Sequence, residues 1–317
     1  VRWGIAGYGD IVTRRVLPAL RALGEEPVAL WGRDARRAAQ VAERYAVGAS
    51  GSGQEVLLRG VDAVYVATPV VRHVPLARAA LAACLPVLVE KPLAGALDAG
   101  AALDAAGRCA GVAYYRRLAP AVRRLREELR DWTPERVEVR FRCAFAPGPD
   151  DPMRWRTDPA VSGGGVLADA GSHRIDLLLH LFGRPCEVAA ALGRRFPDGA
   201  ERRAELGLRW RSGLVAHLLA EWSDEPPVDR FQLSGAGRTV TLDPLDSGRV
   251  EGLGAASLVL PPAANPHQPL LADFVRAAAS GGAPVCPVAE ARLVDDVIVA
   301  AGRSAAADGR PVRPWND

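Results

Sequence analysis

Lysine is almost missing from this chain. Of its 40 basic residues 39 are arginine, and the exception is Lys91. Cysteine is scarce and unpaired. Cys84, Cys109, Cys143, Cys186 and Cys286 are odd in number, far apart and form no C-x-x-C pair. That argues against a disulfide scaffold and fits reduced, mostly buried thiols in a cytoplasmic protein. No apolar run is long enough to span a bilayer, and no signal peptide precedes the first strand, so no membrane is expected as partner. Excess charge is missing too. The formal net charge is +3 and the arginines are dispersed, which does not argue for nucleic acid. Internal repeats are absent, and compositional bias is limited to alanine and arginine. What remains, 317 residues at 49% hydrophobic and 24% charged, reads as a soluble chain of two globular domains.

A composition this rich in arginine supplies arginine wherever a general positive charge will serve. A lysine that survives points to a property arginine lacks: a compact ammonium that donates, and can lose, a proton near neutral pH. Lys91 sits in Pro86-Val87-Leu88-Val89-Glu90-Lys91-Pro92, at the end of a short apolar run that reads as a buried strand. Its position between Glu90 and Pro92 at a strand end makes it a candidate catalytic residue; the alternative is a solvated loop charge. An X-Pro bond is cis at modest cost, and a cis Lys91–Pro92 bond is expected.

The first domain is expected over 1–118. Val1 to Ala6 is a strand, Gly7-Tyr8-Gly9 a tight turn, and Val12, Val16, Leu17 and Leu20 the apolar face of a helix. Strand, glycine turn and helix form the context of a dinucleotide fingerprint, with helix N–H groups turned to the pyrophosphate. Val12 stands where a third small residue is usual. The second strand, Pro27 to Trp31, ends at Gly32-Arg33-Asp34. An acidic residue there would bind the ribose of NAD. Here Gly32 leaves room and Arg33 can hold a 2′-phosphate, so NADP(H) is favoured over NAD(H). Asp34 reads as the N-cap of the next helix. Strands at Asp62 to Ala67, Val87 to Val89 and Val112 to Tyr114 alternate with helices at Ser52 to Leu58, Arg72 to Cys84 and Leu97 to Arg108. This is the pattern of a doubly wound parallel sheet, the Rossmann arrangement, with ligands at the carboxyl strand ends. Gly7, Arg33, Thr68, Lys91 and Tyr115 all fall at such ends. His73 reads as a structural residue of the turn after Thr68-Pro69.

The second domain is expected over 119–317. A helix at Pro120 to Leu129 leads into strand after strand: Val137 to Phe145 with alternating burial, Leu206 to Trp210, Leu214 to Trp222, Phe231 to Leu233 and Thr239 to Leu242. The result is an α+β domain with a mostly antiparallel sheet, one face covered by helices and the other open to self-association as a homodimer or homotetramer. Asp169, His173, Asp176 and His180 lie at i, i+4, i+7 and i+11, one polar stripe of a helix preceded by Ser162-Gly163-Gly164-Gly165. An imidazole one turn from a carboxylate suits general acid/base work. The alternatives are a solvated face and a metal site; the latter lacks H-x-x-x-H and nearby cysteine, so no metal is expected.

Together these residues resemble the Gfo/Idh/MocA family of oxidoreductases over essentially the whole chain. Gly7-Tyr8-Gly9-Asp10-Ile11, Thr68-Pro69 with His73, Glu90-Lys91-Pro92, Tyr115-Arg116-Arg117, Trp155-Arg156, Gly163-Gly164-Gly165 and the run Asp169 to Asp176 carry the resemblance. It implies Lys91, Asp169 and His173 as catalytic residues. It implies Gly7, Tyr8, Gly9, Asp10, Ile11, Gly32, Arg33, Thr68, Pro69, His73, Glu90 and Lys91 as the cofactor site. Arg116, Trp155, Arg156, Asp176 and His267 become substrate ligands. The activity implied is reversible hydride transfer between NADP(H) and a secondary alcohol or ketone of a carbohydrate-like substrate. Val12 and Val70, where the family commonly has a small residue and asparagine, are modest departures. Two rival readings stay open: a non-catalytic NADP-binding sensor or regulator, and a metal-dependent hydrolase using Asp169, His173 and His180.

Overall fold

The computed structural model describes residues 1–97, 103, 105, 107–253 and 257–315. Contacts divide the chain into two units. The first is Val1–Ala94, Asp98–Tyr115 and Ala263–Arg292; the second is Gly95–Leu97, Arg116–Pro262 and Leu293–Asp317.

In the first unit, β1 (Arg2–Ala6), β2 (Glu26–Trp31), β3 (Ala49–Gly51), β4 (Ala63–Val66), β5 (Val87–Val89) and β6 (Ala110–Val112) form one sheet in the order β3-β2-β1-β4-β5-β6. Every pair is parallel. All residues of β4, β5 and β6 are buried, as strands covered on both faces require. The chain runs outward from β1 to β3 and returns with β4 on the other side of β1, so the order reverses between β1 and β4. Ligands of open parallel sheets bind outside the strand ends at such a reversal. The crossovers are α1 (Leu17–Ala22), entered through a wide π-type turn at Val12–Val16, α2 (Ala35–Arg44), α3 (Gln54–Leu58) and α4 (His73–Ala82). The helix expected over 97–108 lies largely outside the described residues. A distant segment completes this unit: α8 (His267–Ser280) packs on α1, and Phe274 meets Trp3 with ring centroids 5.7 Å apart.

The second unit is built on an eight-stranded sheet. Its strands are β7 (Arg136–Cys143), β8 (Glu187–Arg195), β9 (Glu201–Arg209), β10 (Val215–Trp222), β11 (Val228–Gly235), β12 (Arg238–Leu242), β13 (Arg249–Glu251) and β14 (Leu258–Val259), ordered β14-β13-β12-β11-β7-β10-β9-β8. All pairs are antiparallel except β7 with β10, which run parallel from Arg136↔Val215 to Cys143↔Trp222. Alternation decides the faces. Val137, Val139, Leu206, Leu208, Leu218, Phe231 and Leu233 are buried on one side. The segment 167–171 packs against β9 and β10 there. The opposite side is polar and cross-paired. His217 reaches Glu205 at 3.0 Å and Glu138 at 3.4 Å, and Arg194 and Arg203 both hold Glu221. The unit's helices are α5 (Pro120–Glu128), α6 (Pro159–Ser162), α7 (Ser172–Phe182) and α9 (Val288–Ala306), the last divided between the units at Arg292.

Candidate active site

The glycine turn after β1 is sterically enforced. Gly7 has φ +115°, and a Cβ there would lie 2.3 Å from the Ala67 carbonyl oxygen. Gly9 faces open space, so a ligand backbone can approach it. The N–H groups of Val12 and Thr13 are spent on the Gly9 carbonyl, and Val12 is fully buried where the helix opens into its π-type turn. Asp10 and Ile11 stand at the mouth of this turn, with Asp10 exposed beside Arg14.

Gly32 has a reason that the sequence does not show. A Cβ on it would strike the Tyr8 ring at 2.0 Å. Tyr8 therefore covers the end of β2, its hydroxyl accepting from the Asp34 N–H at 3.3 Å while the Arg37 guanidinium lies 5.2 Å over its ring. Asp34 caps α2, accepting from the Arg37 N–H at 3.1 Å. Arg33 is exposed and has no carboxylate partner among the described residues. Next to β4, the Thr68 hydroxyl is buried with no partner among the described residues, and His73 bridges the carbonyls of Thr68 (2.8 Å) and Pro92 (2.9 Å). Burial holds that imidazole below its usual range, so in its neutral form it donates to one carbonyl at a time. His73 thus ties the Thr68-Pro69 turn to the Lys91-Pro92 turn, whose peptide bond is cis. An orphaned buried hydroxyl and an open glycine at the reversal point fit a dinucleotide.

Lys91 lies two residues past the end of β5 and is half-buried. Beside it Glu90 is buried in a polar network: Tyr65 donates to it at 2.7 Å, His267 Nε2 at 3.1 Å, and the Lys91 N–H at 3.3 Å. Burial pushes the Glu90 carboxyl up, yet the His267 and Tyr65 donors and the Lys91 charge outweigh it and leave the carboxyl below its usual range. Burial, then Glu90, push the Tyr65 hydroxyl well above its own. His267 opens α8, is 2% exposed and lies 5.4 Å from the Tyr115 ring. Glu90 fixes its tautomer, because Nε2 must carry the hydrogen that the carboxylate accepts.

In the second unit the polar stripe is built on two kinds of turn. Residues 167–171 form a π-type turn and α7 continues from Ser172, so the expected single helix is wider at Asp169. His173 is 7% exposed and Asp176 fully buried, which excludes a solvated face. The Asp169 carboxylate accepts from Arg156 Nη1 at 3.1 Å. Asp176, expected to meet a substrate hydroxyl, is clasped by Arg117: Nε donates at 3.0 and 3.1 Å and Nη2 at 2.7 Å. It is a strut under α7. Arg116 is buried and pairs with Asp246 through Nε at 2.8 Å, and Trp155 lies beneath the Arg156 guanidinium at 5.5 Å. Among the described residues no group of three or more His, Cys, Asp or Glu could hold a metal ion, and no helix is long and apolar enough to cross a membrane.

Two profiles match the chain in the same halves. The GFO/IDH/MocA C-terminal domain matches residues 133–241, and the oxidoreductase family with an NAD-binding Rossmann fold matches residues 1–115. The 1,5-anhydro-D-fructose reductase of Ensifer adhaerens is 31% identical over 305 residues, 89% of this chain and 90% of the relative. The chain belongs to the Gfo/Idh/MocA family of oxidoreductases. The D-xylose 1-dehydrogenase (NADP(+)) 2 of Haloferax volcanii is 30% identical over 237 residues, 73% of this chain and 72% of that one. A levoglucosan dehydrogenase solved with NADH and L-sorbose superposes with a TM-score of 0.88 over 100% of this chain and 99% of its own, at 21% identity, a likeness of fold.

Sequence reasoning missed three supports of this Gfo/Idh/MocA framework. Tyr65 was hidden in an apolar run. Arg117 was marked only as part of the Tyr115-Arg116-Arg117 motif, with no partner assigned to it. Glu201 starts β9 and is buried, accepting from the N–H groups of Gly165 (2.9 and 3.0 Å) and Leu167 (3.1 Å). It anchors the glycine-rich approach to Asp169. A carboxylate two residues from the Phe196–Gly199 turn carries no local mark of that role.

Proposed function

We propose that this oxidoreductase transfers hydride between NADP(H) and a secondary alcohol or ketone of a sugar, cyclitol or similar polyol. The observation that carries the reading is Lys91: the sole lysine of the chain, at the carboxyl end of β5, beside an ionised and buried Glu90. Bound nicotinamide supplies or takes the hydride. Lys91 donates a hydrogen bond to the substrate oxygen and stabilises the negative charge that develops there. Glu90 keeps a negative charge beside Lys91. His173 gives the proton to that oxygen in reduction and takes it in oxidation, and Asp169, steadied by Arg156, orients the imidazole. Gly7, Tyr8, Gly9, Asp10, Ile11, Thr68, Pro69 and His73 hold the dinucleotide, with Gly32 and Arg33 at its ribose 2′-phosphate. The capped Asp34 and the unpaired Arg33 favour the phosphate over a free 2′-hydroxyl. Arg116, Trp155, Arg156 and His267 face the substrate. Residues 1–118 serve the cofactor and 119–317 the substrate and assembly, as a cytoplasmic homodimer or homotetramer. The carbohydrate class rests on the names of the two curated relatives, an anhydrofructose reductase and a xylose dehydrogenase.

The test is single-turnover oxidation of bound NADPH by a panel of ketoses. Lys91→Ala should lose on the order of 2.7–4 kcal/mol of transition-state stabilisation with NADPH affinity nearly unchanged. Lys91→Arg should also be slow, because a planar fork does not fit a point-charge site. An arginine variant running near the parent rate overturns the reading.

A further inference from the structure

At one end of the second sheet the β8–β9 turn and the end of β10 enclose a cleft of about 420 Å³. Its lining is Arg194, Arg202, Trp222, Ser223, Asp224 and Glu225. The volume falls in the range of small-ligand sites, roughly 300–1,000 Å³. Half of this lining is already satisfied. Arg194 holds Glu221 at 3.1 Å, Glu225 holds Arg142, and Trp222 packs on Phe145 with ring centroids 4.5 Å apart.

The other half is not. Arg202 forms no ion pair among the described residues; its guanidinium lies 5.0 Å over the Phe196 ring, and its buried Nε has no acceptor. Asp224 is exposed and has no protein donor among the described residues. Ser223 is 8% exposed, its N–H is fixed on the Cys143 carbonyl at 3.1 Å, and its buried hydroxyl has no partner. Arg202 and Asp224 carry opposite charge in one cleft and still stand too far apart to pair. A fork of donors, a pure acceptor and a hydroxyl that does both are left facing one space. Stacking on Phe196 holds the fork flat without using its hydrogens. Leaving the buried Arg202 Nε and Ser223 hydroxyl unpaired costs about 1–3 kcal/mol each, so the arrangement suits a ligand that fills them beside the exposed Asp224.

We infer that this cleft is a carbohydrate-binding subsite, in which vicinal hydroxyls of a neutral sugar or cyclitol accept from Arg202, donate to Asp224 and exchange a hydrogen bond with Ser223. A vicinal diol supplies both an acceptor and a donor at neighbouring carbons, which matches this set. An anion does not: Asp224 and Glu225 line the same space and repel it. The subsite does not depend on which redox reaction the first unit carries out. It extends recognition to a second sugar residue or to a regulatory sugar.

The experiment uses the whole protein with 5-fluorotryptophan in place of tryptophan, the Trp222 resonance being assigned by its loss in Trp222→Phe. Methyl β-D-glucopyranoside and myo-inositol are titrated separately, with inorganic phosphate as the anionic probe. The Trp222 resonance should shift with at least one of the two polyols and stay still with phosphate. Arg202→Ala and Asp224→Asn should each raise the dissociation constant about tenfold or more, the loss of one charge-assisted hydrogen bond. Ser223→Ala, a milder change, should raise it a few-fold. Lys91→Ala should leave the midpoint unchanged, so that failure of the subsite and failure of the catalytic reading are told apart. A Trp222 signal silent to both polyols up to their solubility, a response to phosphate alone, or variants that titrate like the parent would each overturn the inference.

Discussion

The ion pair under α7 offers the sharpest energetic test. Arg117 and Asp176 have side chains 2% and 1% exposed and share three hydrogen bonds of 2.7 to 3.1 Å. Neither charge has solvent to fall back on. Asp176→Ala takes the clasped carboxylate away from a buried guanidinium, a change that costs about 3–5 kcal/mol. For a unit of this size each kcal/mol moves the midpoint by roughly 2–4 °C, so Tm should fall by ~6–20 °C. The exposed pair Arg2–Asp62, 52% and 43% exposed, is the control: Asp62→Asn should cost at most about 1 kcal/mol. Five of the seven tryptophans, Trp132, Trp155, Trp210, Trp222 and Trp315, lie in the second unit, so intrinsic fluorescence reports its unfolding. Replacing both partners by apolar residues, Arg117→Met with Asp176→Leu, should recover much of the loss, because the desolvation cost disappears with the charges. If Asp176→Ala moved the fluorescence midpoint no more than Asp62→Asn does, the buried pair would be no strut and the reasoning would fail.

Three further outcomes are expected. Arg33→Ala should remove most of the preference for NADPH over NADH, about 1–3 kcal/mol for a charge-assisted phosphate contact; equal affinity for the two cofactors in the parent protein refutes it. Burial, reinforced by Arg117 and Arg126, depresses His180 from 6.5 to about 4. The unfolded chain then takes the proton first, so stability present above about pH 6.5 declines as pH falls toward about 4, and His180→Gln should flatten that part of a Tm–pH curve. The protein should sediment as a dimer or tetramer at micromolar concentration through the polar face of the second sheet, and Glu205→Arg, which sets a second guanidinium beside Arg203 and takes the carboxylate from His217, should shift it toward monomer.

Much of the first unit was legible because parallel strands buried on both faces read as unbroken apolar runs, and because Gly7 and Gly9 punctuate the first of them. β3, at three residues, was too short to register. In the second unit the alternation of Val137 to Cys143 was plain, whereas β8, Glu-Val-Ala-Ala-Ala-Leu-Gly-Arg-Arg, was silent: alanine marks no face and favours helix. The return of Ala263–Arg292 to the first unit has no local signal, since it is decided by what α8 meets. Among the site residues, type and spacing named Lys91, Asp169 and His173. They did not show that Asp176 would be taken by Arg117, nor that Gly32 would be required by Tyr8. Those facts depend on side chains brought together from 59 and 24 residues apart in sequence.

The parallel pairing of β7 with β10 bears on how the second unit forms. Two strands that run the same way cannot be joined by a hairpin. A crossover must therefore carry the chain from Cys143 back to Val215. That intervening stretch contains α6, the glycine approach, Asp169, His173 and the β8–β9 hairpin. Long-range closure of this kind raises contact order and slows folding. The segment that carries Asp169 and His173 is thus the crossover of a long-range pairing at the centre of the sheet, 79 residues from Arg136 to Val215.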